Sequence, residues 1–229
     1  TCVVGYTAAS DGDVCSACDA GTYKATTGTE PCSMCPTGTS SARESNDLTD
    51  CKCLAGNTAA SDGQACAACI EGEHKTETGA VACSTCAAGT SNNNLGSTTV
   101  DACMQCGVNT WSGNGAATCA ACPSQTSSPE GSDEVTDCTC LVGYTAASDG
   151  LQCSACGVGT FKGAVGTAAC ETCPANSESG PGSALCLCSA GFTGNDGGLC
   201  TPCAVGEYKA AVGSGSCTAC PLHTSSVGG

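Results

Sequence analysis

CVVGYTAASDGDVCSACDAGTYKATTGTEPCSMCPTGTSSARESNDLTDCKC, residues 2–53, is the stretch whose reading decides the fold. Its cysteines fall at Cys2, Cys15, Cys18, Cys32, Cys35 and Cys51, and the step Cys51-Lys52-Cys53 restarts the pattern. A second unit runs through Cys53, Cys66, Cys69, Cys83, Cys86 and Cys103. A fourth runs through Cys140, Cys153, Cys156, Cys170, Cys173 and Cys186, and a fifth begins at Cys188 with Cys200, Cys203, Cys217 and Cys220. Between them lies a short third unit holding only Cys106, Cys119, Cys122 and Cys138. Self-similarity at a fixed period is the mark of a repeat architecture. It divides the chain at 1–51, 52–103, 104–138, 139–186 and 187–229.

Outside the cysteines the chain has little with which to build a core. Ile, Leu, Val and Phe supply 25 of 229 residues, and the net charge is −15. By that measure alone the chain would be disordered. The 27 cysteines reverse the expectation. A bridge closing about 15 residues removes roughly 3 kcal/mol of unfolded-state entropy in the chain-entropy model. So many cysteines point to an oxidising, extracellular setting. No run resembles a signal peptide, none approaches the length of a membrane span, and Thr1 is not expected to be a natural start. Six Lys+Arg against 21 Asp+Glu argue against binding nucleic acid or anionic lipid.

The other positions repeat as well. Each full unit opens C-x-x-G and a larger residue (Gly5-Tyr6, Gly56-Asn57, Gly143-Tyr144, Gly191-Phe192). TAASDG follows at 7–12, 58–63 and 145–150, or TGNDGG at 193–198. Asp-Gly and its relatives are turn chemistry. After the third cysteine come GTYK at 21–24, GEHK at 72–75, NTWS at 109–112, GTFK at 159–162 and GEYK at 206–209. A glycine then precedes the fourth cysteine: Gly28, Gly79, Gly115, Gly166 and Gly213. Every aromatic of the chain falls in these two slots (Tyr6, Tyr23, Trp111, Tyr144, Phe161, Phe192 and Tyr208), with His74 in the same slot of unit two. Lys24, Lys75, Lys162 and Lys209 follow the second slot. Aromatics bury more area than anything else available, so each is expected to lie against a cystine as a small core. The rival expectation is a row of exposed ligand contacts.

Six cysteines permit 15 pairings. The short unit narrows them. With Cys103 closing unit two, unit three lacks its first and second cysteines together with the segment between them. Cysteines lost as a set are expected to pair, giving Cys2–Cys15, Cys53–Cys66, Cys140–Cys153 and Cys188–Cys200. The remaining four are expected to cross, third to fifth and fourth to sixth, because uncrossed pairing would leave two separate loops. That predicts Cys18–Cys35, Cys32–Cys51, Cys69–Cys86, Cys83–Cys103, Cys106–Cys122, Cys119–Cys138, Cys156–Cys173, Cys170–Cys186 and Cys203–Cys220. Cys217 is left over, its expected partner lying beyond Gly229 in a longer natural chain.

The pattern C-x-x-G-[YF]…C-x-x-C-x-x-G-T-[YF]-K…C-x-x-C-P-x-x-T-x-S resembles the ephrin-receptor-like cysteine-rich repeat. Tyr6, Cys15, Cys18, Gly21, Thr22, Tyr23, Lys24, Cys32, Cys35, Pro36 and Thr39 carry it in unit one. Units four and five match nearly as well. Unit two departs at Asn57, His74 and Ala87, and unit three lacks its first third. The resemblance implies a module similar to the tumour-necrosis-factor-receptor and EGF-like ones: elongated, stacked end to end and poor in β-hairpins. Long Ala/Thr/Gly-rich arrays also resemble protist and algal surface proteins, including ciliate surface antigens and flagellar-hair (mastigoneme) proteins.

Other chemistries fit less well. The C-x-x-C spacing approaches that of zinc ribbons, but a zinc reading strands the first and sixth cysteines of each full unit. A redox C-x-x-C needs a βαβ context that this chain lacks. Two histidines, His74 and His223, offer no hydrolase constellation, so no catalytic or cofactor residue is expected. Calcium is considered at the recurring Asp11, Asp62 and Asp149 and at Asp50, Asp101 and Asp137, where turn capping is the competing role. There is no N-x-[ST] sequon. The clusters Thr37–Ser41, Thr90-Ser91 and Thr126–Ser128 could carry O-linked glycans or be plain solvated loops. The fold expected is small and disulfide-rich, an elongated tandem-repeat rod of short β-hairpins with little or no helix. The role expected is a rigid extracellular spacer or filament component at a cell or flagellar surface, partnered by copies of itself or by other structural proteins. The alternative is a ligand-binding ectodomain of a cell-surface receptor.

Overall fold

The computed structural model describes residues 1–8, 14–59, 65–147 and 152–228. The Asp-Gly turns of the first, second and fourth units, with Asp11, Asp62 and Asp149, lie outside the described residues. The chain forms two compact units, one of Thr1–Cys106 with Ser112–Ala120, the other of Gly107–Trp111 with Ala121–Gly229.

Strands of two or three residues pair two by two, all antiparallel where their register is known. In the first unit Tyr6–Ala8 pairs with Cys15–Ala17, Thr22–Tyr23 with Ser33–Met34, and Thr39–Ser40 with Lys52–Cys53. The fourth repeat shows the same construction, for example Tyr144–Ala146 with Cys153–Ala155 and Thr160–Phe161 with Glu171–Thr172. Hairpins are thus more numerous than the family resemblance implied. Helix is confined, among the described residues, to single 3-10 turns at Leu48–Asp50, Val100–Ala102 and Val135–Asp137. In the first and third of these turns the recurrent aspartates Asp50 and Asp137 act as caps. The Asp50 carboxylate accepts the amides of Asn46 and Asp47 at 3.0 and 3.1 Å, and that of Asp137 accepts Asp133 and Glu134 at 3.0 and 3.4 Å. Hydrogen bonds from the Thr49 amide and hydroxyl hold the N-cap carboxylate of Asp47 below its usual pKa.

The sequence signal for each hairpin is its first four residues. Cys-x-x-Gly recurs three times in units one and two, at Gly5, Gly21 and Gly38 in unit one, all at positive φ. Asn109, Gln125, Asn176 and His223 fill the same position elsewhere with φ of 63 to 69°. Glycine is favoured because the next stretch of backbone presses on it. A Cβ at Gly72 would lie 2.1 Å from the carbonyl oxygen of Gly115, and one at Gly143 would lie 2.1 Å from that of Gly182.

The bridges follow the hairpins. Cys2–Cys15, Cys53–Cys66, Cys140–Cys153 and Cys188–Cys200 pair as the shortened unit implied. The crossed half is corrected. Cys18 pairs with Cys32 and Cys35 with Cys51, not Cys18 with Cys35 and Cys32 with Cys51. Likewise Cys69–Cys83 and Cys86–Cys103 replace Cys69–Cys86 and Cys83–Cys103, and Cys106–Cys119 and Cys122–Cys138 replace Cys106–Cys122 and Cys119–Cys138. Cys156–Cys170 and Cys173–Cys186 replace Cys156–Cys173 and Cys170–Cys186. In the last unit Cys203 takes Cys217, not Cys220, so Cys220 is the free thiol rather than Cys217.

The crossed expectation assumed that loops not interlinked by sulfur would be separate. They are joined by backbone instead. The amide of Gly21 donates to Ser41 at 3.0 Å, that of Cys35 to Gly21 at 2.9 Å and that of Glu44 to Cys18 at 3.0 Å. The fourth repeat has the same bonds as Gly159 to Ser179 at 3.0 Å, Cys173 to Gly159 at 2.9 Å and Gly182 to Cys156 at 2.9 Å. Each hairpin therefore carries its own bridge and is tied to the next by hydrogen bonds. What is buried at the centre is sulfur: Cys18, Cys69, Cys86, Cys106, Cys156, Cys186 and Cys188 are the most deeply buried cysteines.

Peptide mapping without reduction should recover Cys18–Cys32 and Cys35–Cys51 as independent links. A Cys18–Cys35 link would contradict the hairpin-by-hairpin assignment.

Candidate functional site

Three residues after the glycine position of the second and third hairpins, the strand directs one side chain inward. In the second hairpin of every full unit that residue is lysine: Lys24, Lys75, Lys162 and Lys209, each 7% exposed or less. The Lys24 ammonium donates to the carbonyls of Tyr6 and Gly28 at 3.0 and 2.7 Å, and that of Lys75 to Asn57 and Gly79 at 2.6 and 2.7 Å. Lys162 donates to Tyr144 at 2.8 Å, Cys140 at 3.2 Å and Gly166. Lys209 donates to Phe192 at 2.7 Å, Cys188 at 3.3 Å and Gly213. No carboxylate pairs with these ammonium groups among the described residues; the surface pair Arg43–Asp19 is the one ion pair there. Neutral carbonyl dipoles satisfy the charge, and burial lowers the Lys162 pKa below the usual lysine value.

The glycines before the fourth cysteine complete the site. Gly28 exchanges both backbone hydrogen bonds with Cys2, while the amides of Gly79, Gly166 and Gly213 donate to the carbonyls of Cys53, Cys140 and Cys188. Each lysine thus fastens three segments: the first hairpin, its own hairpin and the loop that leads to the fourth cysteine.

The same inward position carries a short polar residue when a different hairpin precedes it. Ser41 donates to Thr22 at 2.9 Å, Asn92 to Glu73 at 2.9 Å, Ser112 to Thr90 at 2.9 Å, Ser179 to Thr160 at 2.8 Å and Ser226 to Glu207 at 2.6 Å. In every case the acceptor is the carbonyl just after the preceding hairpin's glycine. Unit three supplies the internal control. It lacks the first hairpin, whose carbonyl the lysine would reach, and its residue is Ser112. Among the described residues, no buried side-chain nitrogen or oxygen is left without a partner.

The aromatic residues are not this core. Tyr6, Tyr23, Trp111, Tyr144, Phe161 and Phe192 are half-buried, and Tyr208 is 43% exposed. In an extended strand neighbouring side chains point to opposite faces. Lys24 follows Tyr23 directly, so the two cannot share one face, and the carbonyl-lined interior takes the lysine. Tyr6 bonds the Glu44 carboxylate instead, which with burial raises the phenol above its usual pKa. His74 places Nδ1 3.5 Å from Cys103 Sγ. His74, Cys86 and Cys103 converge within 4.8 Å, but the two sulfurs are bonded to each other. His223 stands where the other Cys-x-x-Gly steps have glycine, three residues after Cys220 and at positive φ.

The Ser/Thr clusters are largely engaged. Thr39, Thr90 and Thr126 each donate to the carbonyl three residues back at 2.6 Å, and Ser41 and Ser128 are buried. A shallow depression of about 330 Å³ is lined by Pro36, Leu48, Lys52, Ala59 and Ala80 among others.

The motif C-x-x-G-T-[YF]-K is therefore a hairpin with its lysine tie, and it is this unit that known proteins share. A family model described as tyrosine-protein kinase ephrin type A/B receptor-like matches residues 5–51, 143–184 and 191–228, more than half of the chain. This chain belongs to that family. The matched stretches are those in which the aromatic and the lysine stand together, and the unmatched middle holds His74 and the shortened unit. Ephrin type-B receptor 4a of Danio rerio is 52% identical over 58 residues, 25% of this chain. Ephrin type-B receptor 4 of Mus musculus is 50% identical over 60 residues, 26% of the chain, and ephrin type-B receptor 3 of Gallus gallus 48% over 56 residues, 24% of the chain. The alignment spans only 6% of each relative. Family and bridge content make the segment an extracellular cysteine-rich module. No helix of the described residues is long and apolar enough to cross a membrane.

Replacing Lys75 with Met leaves the Asn57 and Gly79 carbonyls unsatisfied, a loss of about 1–3 kcal/mol. Amide exchange at Gly56 and Gly79 should accelerate while Gly143 and Gly166 keep their protection. Lys52→Met, at an exposed position, should change stability by no more than about 0.5 kcal/mol.

Proposed function

We propose that this segment is a non-catalytic spacer, a disulfide-stapled stretch that holds the parts of a longer extracellular protein at a set separation. The observation that supports it is the hydrogen-bond ladder from each hairpin to the next, with every hairpin closed by its own cystine. Such a chain resists local opening and gives little slack under load. In this reading its inward polar groups serve the stacking rather than a ligand. The setting proposed is a cell or flagellar surface, in a coat or a filament of the mastigoneme kind. The partners proposed are copies of the same protein or other extracellular structural proteins, with O-linked glycans on hydroxyls that remain exposed, such as Thr37.

A second reading draws on the names of the relatives, which are receptors. There the module belongs to a receptor ectodomain and meets a protein ligand along its exposed side chains. Negative-stain imaging of native material, with sedimentation of the purified protein, separates the two. Regular polymers support the structural reading. Isolated particles that bind a defined soluble ligand reversibly would overturn it in favour of the receptor.

A further inference from the structure

All thirteen bridges join cysteines 12 to 17 residues apart, and no bridge encloses another. One backbone cut inside a bridged loop leaves the two halves joined through sulfur. A cut that separates the chain must fall in the short intervals between one bridge and the next. Those intervals carry one basic residue, Lys52, set between Cys51 of one bridge and Cys53 of the next.

The other five basic residues are shielded in one way or the other. Lys24, Lys75, Lys162 and Lys209 are buried with their ammonium groups held by carbonyls, and each also lies inside a loop: Cys18–Cys32, Cys69–Cys83, Cys156–Cys170 and Cys203–Cys217. Arg43 has 68% of its side chain exposed but sits inside the Cys35–Cys51 loop.

Lys52 has the geometry that a protease reads. It is exposed, and Lys52–Cys53 is already extended, as one strand of a two-stranded sheet with Thr39–Ser40. Its outer edge is held by the hydrogen bond from the Gly79 amide to the Cys53 carbonyl at 2.7 Å, and once that bond opens the extended segment can bind by adding a strand to a partner's edge. Its side chain is tethered only at the surface, to the Thr49 carbonyl at 2.6 Å.

We propose that the Lys52–Cys53 peptide bond is a processing site for a trypsin-like endoprotease specific for basic residues, at which a single cut detaches the first repeat. Water adds across the amide, leaving a carboxylate on Lys52 and a new amine on Cys53, and no disulfide has to break. The inference stands on the bridge map and on which basic residues are buried. It does not need the spacer reading, and either can fail while the other holds.

The test is trypsin on the oxidised chain, followed on non-reducing gels and by intact mass. Residues 1–52 and 53–229 should separate without reductant. Arg43→Gln should still separate, whereas Lys52→Gln should remain one species until reductant reveals the Arg43 cut. Wild-type chain that stays a single non-reduced species, or Lys52→Gln that separates as fast as wild type, would overturn the assignment.

Discussion

A pair of two-residue strands has too few hydrogen bonds and too little apolar area to persist alone in water. Here such a pair is the basic element, and a cystine at the base of each holds it closed. The bridge is worth about 3 kcal/mol for a loop of this length in the chain-entropy model. That is comparable to the burial of one large aliphatic side chain, roughly 1.5–3 kcal/mol. The chain can therefore expose Val3, Met34, Ile70, Leu199 and Leu222 and still fold. Its centre is sulfur and hydrogen-bonded polar groups, not hydrocarbon.

Once hairpins are closed separately, something else must set how one sits on the next. Two devices do so. In the first and second hairpins the backbone ladder runs from the glycine-position amide to a later carbonyl and from the following cysteine amide back to that position, while at Gly38 the return bond comes from the Leu54 amide. The inward residue adds a side-chain tie to the preceding hairpin. Its length follows the neighbour: lysine after the first hairpin, serine or asparagine after the others. A buried ammonium with no counter-ion is costly, and two or three carbonyl acceptors offset that cost. Unit three shows the coupling within one chain, having lost the first hairpin and carrying serine in place of the lysine.

Much of this was legible in the sequence, but not all for the same reason. The cysteine period, the hairpin texture and the first-to-second bridges follow from spacing and from the deletion in unit three. The crossed bridges rest on the expectation that uncrossed loops would be separate, and cysteine spacing does not show the backbone bonds that join them. Cys35-Pro36-Thr37-Gly38 has the same form as Cys18-Asp19-Ala20-Gly21, and that parallel implies a local bridge for each. The lysines were visible as a pattern, four of six basic residues in one slot and none in unit three. Their burial was not, because lysine is ordinarily a surface residue and the carbonyls that hold it come from a hairpin 17 or 18 residues away. The aromatic residues drew the core assignment on size alone. Strand alternation placed them on the other face.

The central claim is that cystines take the place of a hydrophobic core. Far-UV circular dichroism and backbone amide exchange, before and after complete reduction and alkylation in native buffer, test it most directly. The account predicts that the reduced chain loses the hairpin signal, and that the amides of Gly21, Gly72 and Gly159 exchange at the rate of an unfolded chain. Retention of the ladder's protection without the bridges would contradict it.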